Sequence, residues 1–359
     1  MISHDKIETG KSLFIEGGRI TGISKAGNRP SSRFDVIDAK GLYVSPGFID
    51  IHVHNLPAGG AGNIAEDDLK QICGRMARSG VTAFLPTTVT LPLKSLLSAA
   101  NAVKRFIADN PGTGLLGLHL EGPYLNPSAC GAQNRKYIRT FKPDELRKVF
   151  SVAGCLIKMM TFAPERGNGM KLLDFLVGRG VVPSIGHSRA SYKETAFAVK
   201  KGLTHVTHLF NAMPAFHHRD PGLIGAALAL DKLSVDIIAD GAHLHPAAVK
   251  FIIKAKGTDR VILISDRVEG PIRLKDGRLA GSRLGLNQAV RNVMEFAGVS
   301  LQDAVGMATI NPARLLGIGG RKGSLEVGKD ADVIIFDEAL RIKYAIVKGN
   351  IVYGHTWYN

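Results

Sequence analysis

The chain has 359 residues, 45% hydrophobic and 21% charged, a balance that suits a globular protein with one large domain and a small accessory unit, or two ordinary domains. No run approaches the roughly 20 consecutive apolar residues of a membrane-spanning helix, so no membrane partner is expected. The formal charge of +15 is spread along the chain without a dense basic run or interleaved aromatics, which argues against nucleic acid and leaves small anionic metabolites or a plain basic surface.

The chain ends look alike. Leu13–Ile23 reads as two short strands around a Gly turn, and Tyr344–Tyr353 has the same form after the apolar run Val333–Phe336. An isolated hairpin is marginal in water, so both ends need partners. The economical arrangement joins residues 1–47 and 322–359 into one small β-sandwich module. Met1–Ile15 has no basic stretch leading into an apolar core, so no secretory signal is expected. Cys73, Cys130 and Cys155 are odd in number and far apart, which fits a reducing cytoplasm better than a disulfide framework.

Between the ends, residues 48–321, short apolar runs alternate with helical stretches, the pattern of βα units. The expected strands are Phe48–Val53, Val81–Pro86, Leu115–Leu120, Leu156–Met160, Val181–Ile185, Leu203–Thr207, Val235–Ala239 and Val261–Ser265. Helices are expected over Leu91–Ala108, Pro143–Ala153, Ser191–Lys201 and His245–Lys256. Eight such units close a TIM-like (β/α)8 barrel, whose chemistry sits at the C-terminal strand ends.

The residues at those strand ends are therefore informative. The first strand ends in His52-Val53-His54, the second in Thr87-Thr88, the third in Glu121, the fifth in His187, the sixth in His208, the seventh in Asp240 with His243 beyond it, and the eighth in Asp266. Buried charges are costly unless paired or bound to metal, so packing gives no reason for strands to end this way repeatedly. Residues two apart on a strand share a face, which aims His52 and His54 into one mouth. With Glu121, His187 and His208 they make a set of ligands for one or two divalent ions: zinc first, with iron, manganese or cobalt also suited. His205 competes with His208 but lies inside its run rather than at the end. Asp266 is the expected general acid–base carboxylate.

The opening Ser45-Pro46-Gly47-Phe48-Ile49-Asp50-Ile51-His52-Val53-His54 resembles that of the amidohydrolase superfamily. Longer motifs are similar to the N-acetylglucosamine-6-phosphate deacetylase family within it: His119-Leu120-Glu121-Gly122-Pro123, Ile185-Gly186-His187-Ser188, His208-Leu209-Phe210-Asn211-Ala212-Met213 and Ala239-Asp240-Gly241-Ala242-His243. The resemblance implies metal held by Glu121, His187 and His208, with His52 and His54 available to a second ion, and usually a homodimer. It implies substrate contacts at Ala132, Gln133, Asn211, Ala212, Arg219, His243, Leu284 and Leu286, with Arg219 and His243 at a phosphate. The implied reaction is deacetylation of N-acetylglucosamine 6-phosphate; the alternatives are an epimeric amino-sugar phosphate, another amide, or a regulatory protein that binds metal and sugar phosphate. The chain departs from the family pattern around the substrate, at Gln133 where a histidine is usual, at Arg267-Val268-Glu269-Gly270, at Gly285 and at Asn287.

Overall fold

The computed structural model of the protein describes residues 1–2, 6–27, 35–57, 64 and 66–354. Residues 3–5, 28–34 and 355–359 of the expected end module lie outside them.

A parallel sheet runs in the order Val261–Leu263, Ser234–Ile237, His205–Val206, Val182–Ile185, Ile157–Phe162, Leu118–Glu121, Val81–Thr88, Phe48–Pro57 and Arg267–Glu269. The first and last of these are one stretch of chain. Residues 264–266 carry it from pairing with Ser234–Ile237 to pairing with Phe48–Pro57, and Asp266 N donates to His52 O at 3.0 Å across the seam. The sheet therefore closes on itself as a barrel, which leaves no open edge.

Each stave is followed by a helix: Glu66–Arg78, Leu93–Asp109, Pro143–Ala153, Gly169–Val177, Tyr192–Lys200, Gly222–Ala229, Pro246–Lys256 and Leu286–Ala297. Local chemistry sets their limits. Glu66–Arg78 has acids in its first turn and arginines in its last, matching the helix dipole, and buries Leu69, Ile72 and Met76 on one face. Tyr192–Lys200 starts on a capping box between Ser191 and Glu194. A second core cluster draws Ile49, Ile51, Leu85, Met159, Ile238 and Ile264 from staves around the sheet, some of them far apart in its strand order. Side chains from distant staves meet only across a filled barrel interior.

Several strands are shorter than their apolar runs. Leu115–Leu120 narrows to Leu118–Glu121 because Gly117 has φ +148° and lies so close to the Leu156 carbonyl that a Cβ would sit 2.2 Å from that oxygen. The sixth stave is only His205–Val206, although Ser234 N bonds Thr204 O at 3.0 Å and Thr207 N bonds Ile185 O at 2.9 Å on either side of it.

At the chain ends, Tyr43–Pro46, Val333–Phe336, Ile342–Val347 and Asn350–Tyr353 form an antiparallel sheet, and Lys11–Glu16 pairs with Arg19–Lys25 as a hairpin. Ile20 joins the two halves, donating to Lys329 O at 2.9 Å and accepting from Gly328 N at 2.8 Å. Ile20, Leu325, Val333 and Ile346 make their shared core. The other face of the sheet is not independent of the barrel: Ile334, Phe336 and Ile342 join the main core with Phe48 and Val81. Lys322 is buried between Asp330 (3.1 Å) and Asp332, whose backbone oxygen also holds Gly47 N at 2.9 Å where the chain enters the first stave.

Candidate metal centre

Six side chains from five stave ends meet at the barrel mouth. Glu121 Oε1 lies 3.1 Å from His187 Nε2 and 3.1 Å from His208 Nε2, and those two nitrogens are 3.1 Å apart. Beside them, His52 Nε2 and His54 Nε2 are 3.1 Å apart, and Asp266 Oδ1 is 3.7 and 3.3 Å from them. Glu121 stands between the two groups, with Oε1 3.6 Å from His52 and Oε2 3.5 Å from His54. All six residues are buried, and they fall into two sets able to hold an ion: His52, His54 and Asp266, and Glu121, His187 and His208.

The donor chemistry fits a cation. His187 Nδ1 meets the Ala129 carbonyl at 3.0 Å and His54 Nδ1 meets the Thr87 carbonyl at 3.0 Å. A carbonyl only accepts, so both rings spend their N–H there and turn a bare Nε2 lone pair inward. Lone pairs facing carboxylate oxygens at such distances repel unless positive charge lies between them. The protonation balance shows the same demand. Burial disfavours the charged form of His208, yet the contact with Glu121 pushes it up to about 9. Burial also opposes ionisation of Glu121 and Asp266, but His52 and His187 hold the first well below its ordinary range, and His54 and His52 lower the second. His52 itself goes well below its usual value because burial dominates. A divalent ion supplies what protons would otherwise have to bring.

The backbone is bent to deliver these groups. His187, His208, Phe210, Ala212 and Asp266 have φ between +32° and +76°, a region L residues rarely adopt, and all sit at the mouth. Behind them, Asp236 accepts from His208 N and bonds His205 Nε2 at 2.9 Å. His205 is thus committed to Asp236 and to Ser234 Oγ (2.7 Å), which leaves the mouth to His208. His119, held by Ile51 O at 3.0 Å and Thr161 Oγ1 at 2.8 Å, packs edge-on against the His52 ring.

A cleft of about 500 Å³ opens over the centre. Ala132, Gln133, Asn211, Ala212 and His243 line it. His243 Nδ1 is 2.8 Å from Asp240 Oδ2, which fixes the ring by its far nitrogen. Arg219, Leu284 and Leu286 are not among the residues that line the cleft. Leu286 is the fully buried first residue of the helix Leu286–Ala297, Leu284 belongs to the same core, and Arg219 is exposed with its guanidinium 3.2 Å from His218 Nε2. In their place the wall contains Val268, Arg273, Arg278 and Leu279, from the stretch beyond Asp266. That stretch folds back as a small turn, with Leu274 N bonded to Arg278 O at 2.8 Å and Ser282 N returned to Asp266 O at 2.8 Å. Arg278 crosses the cleft to the Gly131 carbonyl. The only sequence sign of this turn is Lys275-Asp276-Gly277, which predicts a bend but not what the bend faces.

A second hollow, about 630 Å³ and more open, lies between the N-terminal hairpin and Lys348-Gly349-Asn350. Most of its charged groups are paired: Arg321 with Asp330 within the lining, while Arg19 bonds Gly328 O at 2.7 Å and Lys348 bonds Pro111 O at 2.9 Å.

Residues 43–352 match the Amidohydrolase family. The N-acetylglucosamine-6-phosphate deacetylase of Bacillus subtilis (strain 168) is 36% identical over 363 residues, covering 94% of this chain and 92% of that protein. An N-acetylgalactosamine-6-phosphate deacetylase of Escherichia coli O157:H7 is 34% identical, covering 85% of this chain and 86% of its own. Among solved structures, the N-acetylglucosamine-6-phosphate deacetylase of Thermotoga maritima superposes with a TM-score of 0.85 at 32% identity, over 96% of this chain and 95% of that one. An aspartate-to-alanine mutant of the Mycobacterium smegmatis enzyme, in complex with N-acetyl-D-glucosamine-6-phosphate, gives 0.86 at 28% identity over 98% and 97%.

Proposed function

The chain belongs to the amidohydrolase family, and on that premise we propose that it is a metal-dependent deacetylase that converts N-acetylglucosamine 6-phosphate to glucosamine 6-phosphate and acetate in amino-sugar catabolism. The observation that carries the reading is the convergence of four inward-facing imidazoles and two carboxylates beneath a cleft of substrate size. Glu121, His187 and His208 would hold one ion, and His52 and His54 with Asp266 could take a second. Zinc suits this nitrogen and oxygen set best, and iron, manganese and cobalt also fit it. When bound, a divalent ion polarises the acetamide carbonyl and lowers the pKa of water.

The rest falls to the chain's own groups. Asp266, ionised at neutral pH, takes a proton from the attacking water and returns it to the amine as the C–N bond breaks. Asn211 and the Ala212 backbone, which line the cleft, would meet the sugar, and Val89, Val268 and Leu279 give the cleft an apolar wall that limits water. The cleft-lining Arg273 and Arg278 make the phosphate end cationic, and His243, its ring held by Asp240, would add a ring nitrogen to the anion's contacts. Arg219 would reach a phosphate only from outside its own cleft. The exposed segment Phe216–Arg219 supports a homodimer as the working unit. In this reading residues 1–47 with 322–359 form a supporting module and residues 48–321 carry the chemistry, and a reducing cytoplasm is the setting that free Cys73, Cys130 and Cys155 suit. No helix among the described residues is long and apolar enough to cross a membrane.

An epimeric N-acetylgalactosamine 6-phosphate is the second reading, favoured by the Escherichia coli relative. Acetate release from the two sugar phosphates, measured with and without added divalent ion, tests both. Ion-dependent release that is faster on the gluco epimer is expected. Release without ion, or none from either sugar, would overturn the assignment.

A further inference from the structure

Gln133 stands in the cleft wall, but both ends of its amide are committed. Its Oε1 accepts from the Thr90 backbone N–H at 2.6 Å. An N–H can only donate, so this contact fixes which way the amide faces and turns the NH2 toward Glu121, where Nε2 donates to Oε2. The turn that carries Gln133 is held firmly. Gln133 N bonds Cys130 O at 2.9 Å, His187 Nδ1 bonds Ala129 O at 3.0 Å, and Asn126 N bonds His187 O at 2.9 Å. Gly131 in this turn has φ +54°, and a Cβ there would press to 3.1 Å from the His187 ring.

The two oxygens of Glu121 thereby acquire different duties. Oε1 is shared by His187 and His208 at 3.1 Å each, while Oε2, 3.5 Å from His54, carries the Gln133 hydrogen bond. We propose that Gln133 is a positioning residue that locks the Glu121 carboxylate with Oε1 turned to His187 and His208, favouring a tightly held ion there and weakening Oε2 as a bridge to the His52–His54–Asp266 group. The amide is neutral, so it directs the carboxylate without cancelling its charge. The lone pair left on Oε2 allows a second ion, bound less tightly than the first. This rests on the metal reading above.

Stepwise zinc affinities, measured by chelator competition on the metal-stripped full-length protein, test it without reference to activity. Gln133→Met keeps the length and removes both polar ends; Gln133→Glu keeps an acceptor for Thr90 N but sets an oxygen against Oε2. Losing a partner that orients a ligand costs about 10–100-fold in metal affinity, so both variants should bind the first ion weaker by that factor. In Gln133→Met, with Oε2 freed, the gap between the two stepwise affinities should narrow. Thermal melts of the stripped proteins check that each variant folds, and the pair guards against one failing. If both fold, keep the parent's affinities and show only a raised KM, Gln133 is a substrate contact and the proposal is overturned. A parent that binds no zinc would overturn the metal reading with it, so the two failures are told apart.

Discussion

Asp266 has φ +44°, and its carboxylate oxygen faces two imidazoles while its backbone N–H bonds His52 O. Aspartate and asparagine tolerate this left-handed backbone better than other residues with a Cβ, so asparagine is the substitution that preserves the strand end while removing the base. Asp266→Asn should fold and retain an ion at Glu121, His187 and His208, yet lose about 10²–10⁴-fold in turnover, the usual worth of a general acid–base group. Turnover within a few-fold of the parent would remove Asp266 from the proton path. Other residues show where sequence reasoning stops. The six converging groups were legible because polar residues recur at stave ends, against the cost of burying them. Asp236 was not, because it lies inside an apolar-looking run, and its partners His205 and His208 N come from the neighbouring stave 28–31 positions away. A side chain that explains itself only through a cross-strand contact leaves no periodic trace.

The βα unit was readable at the level of elements, because each stave is followed by a helix with an apolar face and recognisable ends. Pro143–Ala153 matches its expected limits, and the capping box at Ser191 marks its helix in sequence. Strand lengths were over-read where apolar runs outlast the hydrogen-bonded register, as at Leu203–Thr207, since a run of β-formers does not specify which backbone groups find partners. Of the stretch between Asp266 and Ser282, only its start, Arg267–Gly270, was legible as part of the site, and only through the family resemblance; Arg273, Arg278 and Leu279 were not. The stretch has no period, and its role depends on Arg278 reaching Gly131 O from 147 residues away. This element closes one side of the cleft, and its contact is made by an exposed side chain also paired with Asp276 at 2.6 Å. Arg278→Ala should therefore leave the thermal midpoint nearly unchanged, as surface substitutions usually do. It should raise KM for the phosphorylated sugar roughly three- to tenfold, with kcat close to the parent. Steady-state kinetics on pure protein reads this directly. A fall in kcat with KM unchanged would place the arginine in the chemistry rather than in the wall.

At the scale of the whole molecule, the barrel puts every ligand on one rim, and the two chain ends meet in a sheet whose Ile334 and Phe336 share the core of the first stave. The excess of 46 Lys and Arg over 31 Asp and Glu gives the whole chain a formal +15 and with it a net positive field. Two consequences compete. Self-repulsion among surface cations destabilises the compact state, while the same field draws an anion toward the cleft. Exposed charges act through solvent over about 10 Å at 0.1 M salt and about 3 Å at 1 M, so added salt suppresses steering without touching buried contacts at the centre. A sugar phosphate carries close to two negative charges at neutral pH, and the unphosphorylated sugar carries none. Hence kcat/KM for the phosphorylated substrate should fall by about tenfold as sodium chloride rises from roughly 0.05 to 0.5 M, the lower part of the range steering commonly supplies. For the free N-acetyl sugar, kcat/KM should stay flat over the same range, and kcat at saturation should be salt-independent for both. The internal comparison matters, because a general salt effect on folding or on metal affinity would depress both substrates together. A phosphorylated substrate whose kcat/KM ignored salt would show that the +15 is a solvated surface and that only the groups inside the cleft, His243 and its arginine neighbours, recognise the anion.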